Sequence, residues 1–326
     1  MNILGPDALA FGVDDVAACT QYLTAFGLKP MGVDETGGFF EALDGTGILI
    51  RHRHDPRLPS PMDTATMMRQ TVYGVADQAT VDAIGDELAK DRQVQRPEGG
   101  AVEAKDDLGF ALKFQVTKRR ALDMAPELIN APGSPAMRRP NRLGVWEEMP
   151  ADPRTLSHVV CFVPDIPAAE AFYVKRLGFK ITDRFNGVGP FLRPAGTLDH
   201  HTLFFIQTPP HMKGCEHFAF HMGGPTELML AGSRFMRAGY QSFWGPGRHK
   251  FGSNWFWYFN SPLGCHVEYD ADMDQHDDEW TEREAPMGPE GAQAFLFEYR
   301  ERWAPGGPPP GAGNGPPIGA GKDPGR

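Results

Sequence analysis

The sequence predicts an α+β protein of four βαβββ modules in two tandem domains, each domain a curved, barrel-like mixed sheet around a cavity. Three observations predict it. The chain repeats itself, each copy shows the same order of strand and helix signals, and the histidines crowd into the second copy.

The repeat comes first, because fixed self-similarity decides the architecture. Residues 8–29 lie over residues 159–180 without a gap, matching Asp14 to Asp165, Ala17 to Ala168, Tyr22 to Tyr173, Gly27 to Gly178 and Lys29 to Lys180. Each copy reads as a strand, an Asp-containing turn and an amphipathic helix, closed by Gly where left-handed backbone ends a helix. A second match lays residues 108–112 over 263–267.

Within the second half the periodicity predicts a strand at 156–163, a helix at 166–177, then strands at 180–184, 189–193 and 201–207. The cycle restarts with a strand at 216–222, a helix at 225–238, and strands at 240–242, 254–259 and 265–270. Four modules follow, near 6–56, 70–118, 156–208 and 216–272. The expected division is an N-terminal domain at 1–131, a Pro- and Arg-rich linker at 132–153, and a metal-binding domain at 154–274. Residues 275–304 read as a lid or subunit contact, with a helix at 290–303 whose aromatic residues need burial. Residues 305–326 are almost all Gly and Pro, cannot bury apolar surface and read as disordered.

Composition narrows the function classes. With 41% hydrophobic residues the chain is globular, and a formal charge of −10 argues against nucleic acid, whose phosphates need clustered Lys and Arg. Lys118-Arg119-Arg120 and Arg138-Arg139 read as solvated surface. The four cysteines lack close pairing, which fits reduced thiols. No signal peptide is visible, and no apolar run approaches the ~20 residues of a membrane helix, so a cytoplasmic protein without a membrane partner is expected.

Nine of the eleven histidines lie at or after position 158. Strand alternation puts His158 on a face with Val160 and Phe162, His217 with Ala219 and His221, and Glu268 with His266 and Asp270. Two imidazoles and one carboxylate on a shared centre suit Fe(II), with Mn(II) as the alternative, and leave positions open for substrate and O2. The gapless repeat supplies a control. It places Asp7 opposite His158, and matching the flanking strands places Thr71 and Lys113 opposite His217 and Glu268, a set unable to hold a transition metal.

Each residue also has a plainer interpretation. Singly, His158, His217 and Glu268 would be hydrogen-bonded core groups. Alternation points His200 away from its neighbour His201, as a bystander. His221 reads as packed core, and His211, His266 and His276 as surface or structural groups. His52 and His54 alternate with arginines and read as exposed. Arg248 either steers an anionic substrate or holds a loop. In the aromatic stretch 254–259, Asn254, Phe256 and Tyr258 share one face, and the core face is not decided by pattern alone.

Several segments resemble the two-domain extradiol ring-cleaving dioxygenases of the vicinal oxygen chelate superfamily. They are Leu156-Ser157-His158-Val159-Val160, Phe172-Tyr173, Leu177-Gly178-Phe179, Asp199-His200-His201-Thr202-Leu203, Glu216-His217-Phe218-Ala219, Gly245-Pro246-Gly247-Arg248-His249, residues 254–258, and Pro262-Leu263-Gly264 through Glu268. The resemblance covers roughly residues 5–275. It implies His158, His217 and Glu268 as metal ligands, His201 as a catalytic acid/base, and His249 and Tyr258 as catalytic contacts to a bound catecholate. It further implies ring opening of a catechol by O2, and a homo-oligomer. Trp244 favours an apolar or aryl ring substituent. The rival readings are a lyase or isomerase on the same fold, a 2-oxo-acid dioxygenase, and a non-enzymatic binding protein.

Overall fold

The computed structural model describes residues 1–297. Its strands fall into two mixed sheets. The first contains β1 (Ile3–Val13), β2 (Lys29–Asp34), β3 (Gly37–Glu41), β4 (Gly47–His52), β5 (Met68–Val75), β6 (Val102–Lys105) and β7 (Ala111–Val116), in the order β2-β3-β4-β1-β5-β7-β6. Helices α1 (Val16–Ala25) and α2 (Gln78–Leu88) follow β1 and β5. The second module of this half is abbreviated. Its missing strand shrinks to a single bridge between Gln95 and Glu103.

The second sheet holds β8 (Thr155–Val163), β9 (Lys180–Asn186), β10 (Gly189–Arg193), β11 (Leu203–Gln207), β12 (Gly214–His221), β13 (Ser242–His249), β14 (Trp255–Phe259) and β15 (His266–Ala271). Helix α3 (Ile166–Glu170) follows β8, and α4 (Pro225–Arg237) follows β12. Two further strands, β16 (Arg283–Pro286) and β17 (Gln293–Leu296), pair with β9 at one edge and β13 at the other. The arm after Asp270 therefore ties together both edges of a ten-stranded sheet. The helix expected at 290–303 is not formed. Only Pro289–Ala292 is helical, and the next four residues are drawn into a strand by the unpaired edge of β13. Tyr299, Trp303 and residues 305–326 lie outside the described residues.

The repeat is present with its register corrected. Asp15 caps α1 by accepting from the Ala18 amide, and Asp165 caps α3 by accepting from the Ala168 amide. The two caps differ by 150 positions (165 − 15), whereas Gly27 and Gly178, both at positive φ, differ by 151 (178 − 27). The extra residue sits in a π-helical turn, Ala171–Arg176, which prolongs α3. Asp14 and Ala17 are thus not the partners of Asp165 and Ala168, and the control position in β1 moves from Asp7 to Ala8; the pairing of Ala8 with Val72 separately puts Gln70, not Thr71, where His217 stands.

One continuous hydrophobic core joins the two halves. Phe26 stacks on Tyr269 with ring centroids 3.9 Å apart, and the Tyr269 hydroxyl donates to the Phe26 carbonyl at 2.7 Å. The Tyr173 hydroxyl likewise donates to Asp106 Oδ2 across the halves at 3.1 Å. Among the described residues no helix is long and apolar enough to cross a membrane.

Candidate metal centre and cavity

Strands β8, β12 and β15 lie side by side, and one row across them reads His158, Ala219, Glu268. The middle residue is small, so the two outer side chains lean together over its methyl group. His217, two residues before Ala219 and on the same face, completes the cluster. His158 Nε2 lies 3.1 Å from Glu268 Oε2 and 3.3 Å from His217 Nε2, while His217 Nε2 lies 3.3 Å from Glu268 Oε2. All three residues are buried.

The outer ring nitrogens fix which atoms face the centre. Ser157 Oγ gives its proton to Asp270 Oδ2 at 2.8 Å, so it can only accept from His158 Nδ1, 2.9 Å away. His217 Nδ1 donates to Glu216, whose second oxygen accepts from His266 Nδ1 at 3.0 Å. In their neutral form both imidazoles therefore turn an Nε2 lone pair toward a carboxylate oxygen. Glu268 Oε1 is also buried and lacks a hydrogen-bond partner. Three lone pairs about 3 Å apart repel unless a proton or a metal cation sits among them.

Electrostatics agree with that test. Burial works against a charged His217, yet the carboxylates of Glu216 and Glu268 push its pKa up to about 10. Burial likewise opposes ionisation of Glu268, and the adjoining imidazoles more than offset it, holding the carboxyl well below its ordinary value. The site attracts positive charge. The donor set fits a divalent transition metal.

A cavity of about 270 Å³ opens on this cluster. One wall is Val160, Phe185, Phe191, Phe204 and Phe251, and the other includes Trp244, His249, Asn254 and Tyr258. The arm contributes Met287 and Ala292. Among the described residues neither Lys nor Arg lines it.

His201, His249 and Tyr258 all reach this cavity. The His201 ring lies 4.4 Å from that of His158, centroid to centroid, and burial holds its pKa well below the ordinary imidazole value. His249 Nδ1 donates to the Ala292 carbonyl at 3.1 Å, so its Nε2 accepts the Tyr258 hydroxyl, also at 3.1 Å. The open question of the aromatic strand is settled by packing. Trp257 and Phe259 enter the core, and Tyr258 and Asn254 face the cavity. Arg248 does not reach the cavity; it bonds the Ser253 carbonyl and Asp272, holding a loop. His221 pairs with Asp270 at 2.7 Å rather than packing in the core.

Three residues of this site escaped the sequence reading. Glu216 orients His217, and only its position beside a histidine could have flagged it. Asn254 is buried at the cavity with both amide atoms unpaired, and its sequence signal is a lone amide opening an aromatic strand. His200 is not a bystander. It lies in the turn before β11, where strand alternation does not apply, and its Nδ1 is 2.9 Å from His201 Nδ1.

The sequence comparisons with known proteins cover about a third of the chain. The model of the Glyoxalase/Bleomycin resistance protein/Dioxygenase superfamily matches residues 155–269. Metapyrocatechase 2 of Cupriavidus necator is 38% identical over 122 residues, 37% of this chain and 38% of that protein. The matched stretch thus spans well under half of that relative. Among solved structures, the Mn(II)-bound glyoxalase from Novosphingobium aromaticivorans is similar at a TM-score of 0.69, with 21% identity over 90% of both chains. Homoprotocatechuate 2,3-dioxygenase from Arthrobacter globiformis is similar at 0.65, with 18% identity over 88% of this chain and 86% of that one. At these identities the likeness is one of fold. It extends over both halves.

Proposed function

We propose that the protein is an extradiol dioxygenase, opening the ring of a catechol-type diol with O2 at a single Fe(II) held by His158, His217 and Glu268, with Mn(II) as the alternative ion. The observation that carries this is the convergence of two Nε2 lone pairs and one carboxylate oxygen at the floor of an apolar cavity. When bound, the ion would acidify the diol and mediate electron transfer from it to O2.

The remaining work falls to the chain's own side chains. His201, with Nδ1 engaged by His200, has Nε2 available to take a proton from the diol and return it to the product. The Tyr258 phenol, kept protonated by burial, and His249 Nε2 meet where a substrate oxygen would gain a hydrogen bond. Phe191, Phe204 and Trp244 exclude water and hold an aromatic ring. With Glu216 in the lining, Glu268 in the adjoining cluster and neither Lys nor Arg among the described lining residues, a ring carboxylate is disfavoured, and an alkyl or aryl substituent fits.

The arm bearing Met287 and Ala292 serves as the cavity's cover in this proposal. A homo-oligomer also belongs to it. Exposed Ile129, Met137, Leu143 and Trp146 between β7 and β8 offer apolar surface to a second copy, and light scattering tests that.

The test of function is anaerobic loading with Fe(II), then a panel of plain, alkyl, aryl and carboxylated catechols with oxygen-electrode readout. Equimolar O2 uptake with a yellow product, strongest for apolar substituents, is expected. Turnover without O2 consumption would place the protein among lyases or isomerases instead.

A further inference from the structure

The turn before β11 carries a chain of side chains that leads out of the cavity. His201 Nδ1 faces His200 Nδ1 at 2.9 Å, and His200 Nε2 faces Asp183 Oδ2 at 2.8 Å. Arg283 of β16 then grips Asp183 with both ends of its guanidinium, Nε to Oδ1 at 2.9 Å and Nη2 to Oδ2 at 2.6 Å, while its backbone amide donates to Oδ1 at 3.0 Å. The strand pairing puts Arg283 directly opposite Asp183. The His200 backbone is anchored too, its amide on the Asp274 carbonyl and its carbonyl on Thr182 Oγ1, each at 2.8 Å. Asp183 and His200 are fully buried.

The proton positions follow from donor and acceptor capacity. Arg283 and its amide are donors only, so Asp183 is an ionised acceptor. Burial alone would raise its pKa, but the bonds from His200 and Arg283 hold it below the ordinary value. A carboxylate accepts, so His200 must carry its proton on Nε2. Neutral His200 then has only a lone pair at Nδ1, and His201 must carry its proton on Nδ1 to meet it. Every link is forced by the one before.

We infer that the C-terminal arm, through Arg283 and Asp183, is a positioning element that fixes the tautomer of His201 so that its Nε2 presents a lone pair at the cavity. The same arm supplies the Ala292 carbonyl that holds His249 on Nδ1–H. Both cavity histidines outside the metal cluster thus owe their tautomer to residues 283–292. Free neutral imidazole leans the other way, toward Nε2–H, and His201 in that form would face the substrate with a proton and could not accept one. This inference rests on the proposed role of His201 as acid/base. Arg283 and Asp183 themselves touch no substrate.

The experiment is side-chain 15N NMR of the full chain, histidine-labelled, with diamagnetic Zn(II) added. His201 is assigned by the signal lost in His201→Gln. The wild-type spectrum is expected to show His201 as Nδ1–H and His200 as Nε2–H. In Asp183→Asn the amide donates to His200 Nε2, and both tautomers should invert. The Fe(II)-loaded variant should then lose roughly 10²–10⁴-fold in kcat with KM little changed, as when a tautomer-fixing carboxylate is neutralised elsewhere. His200→Phe, which removes the partner of Nδ1, should also move His201 toward Nε2–H. Wild-type His201 found as Nε2–H overturns the inference, and that result needs no variant to fold. So does an Asp183→Asn enzyme whose tautomers invert while kcat stays at the wild-type value. Ring opening with the opposite tautomer sinks the relay and spares the dioxygenase proposal. The expected tautomers without ring opening do the reverse.

Discussion

The two sheets carry the same row of residues with opposite chemistry. In the second sheet the row is His158, Ala219, Glu268; in the first, at the corrected register, it is Ala8, Val72, Lys113. Gln70 stands where His217 does, two residues before the middle of the row. The first row folds with no donor set, and Lys113 simply pairs with Glu103 at 3.3 Å. The architecture therefore does not need two imidazoles and a buried carboxylate. A site that concentrates mutually repelling lone pairs in a core is there for what binds between them.

Converting the second row toward the first should break the site most severely. His217→Gln or Glu268→Lys is expected to abolish Fe(II) retention and cut ring-opening kcat/KM by more than about 10³-fold, several kcal/mol of transition-state stabilisation. Metal analysis beside oxygen uptake reads both effects. Removing an outer partner should do less. Ser157→Ala frees His158 Nδ1 from its acceptor and is expected to weaken metal affinity by about 10–100-fold, measured by competition with a chromogenic chelator.

Ala219→Val installs the middle residue of the first row beneath the metal position. Overpacking of about 1–3 kcal/mol is expected, appearing as weaker metal binding with the ligands still in place. Unchanged affinity would show that room above residue 219 is not what separates the rows. The smallest effect belongs to the first sheet. Lys113→Ala removes a half-exposed ion pair and should shift stability by less than about 1 kcal/mol, with no change in ring opening.

Much of this comparison was legible in the sequence, and the exceptions are instructive. Alternation along β8, β12 and β15 was enough to bring His158, His217 and Glu268 to one face, because regular strands obey it. The same rule failed for His200, which lies outside β11 in a turn whose backbone points both imidazoles inward. The gapless repeat named Asp7 rather than Ala8, because a single inserted residue in a π-helical turn leaves no sequence mark; Thr71, matched through its flanking strand, lay one residue from Gln70. Lys113 was named correctly, since β7 and β15 follow matching glycine turns at Gly109 and Gly264. Cys161 and Cys215, distant in sequence, face each other across β8 and β12, a pairing set by register rather than spacing. The arm was expected to be helical on its own pattern. An open strand edge, which is a tertiary feature, decided otherwise.

Anomalous X-ray scattering at the iron edge, from crystals grown with Fe(II) under anaerobic conditions, addresses the metal centre itself. One peak per chain is expected, at about 2.0–2.2 Å from His158 Nε2, His217 Nε2 and a Glu268 carboxylate oxygen, with none near Ala8, Gln70 and Lys113. A peak elsewhere, or none at saturating Fe(II), would contradict the metal-dependent account.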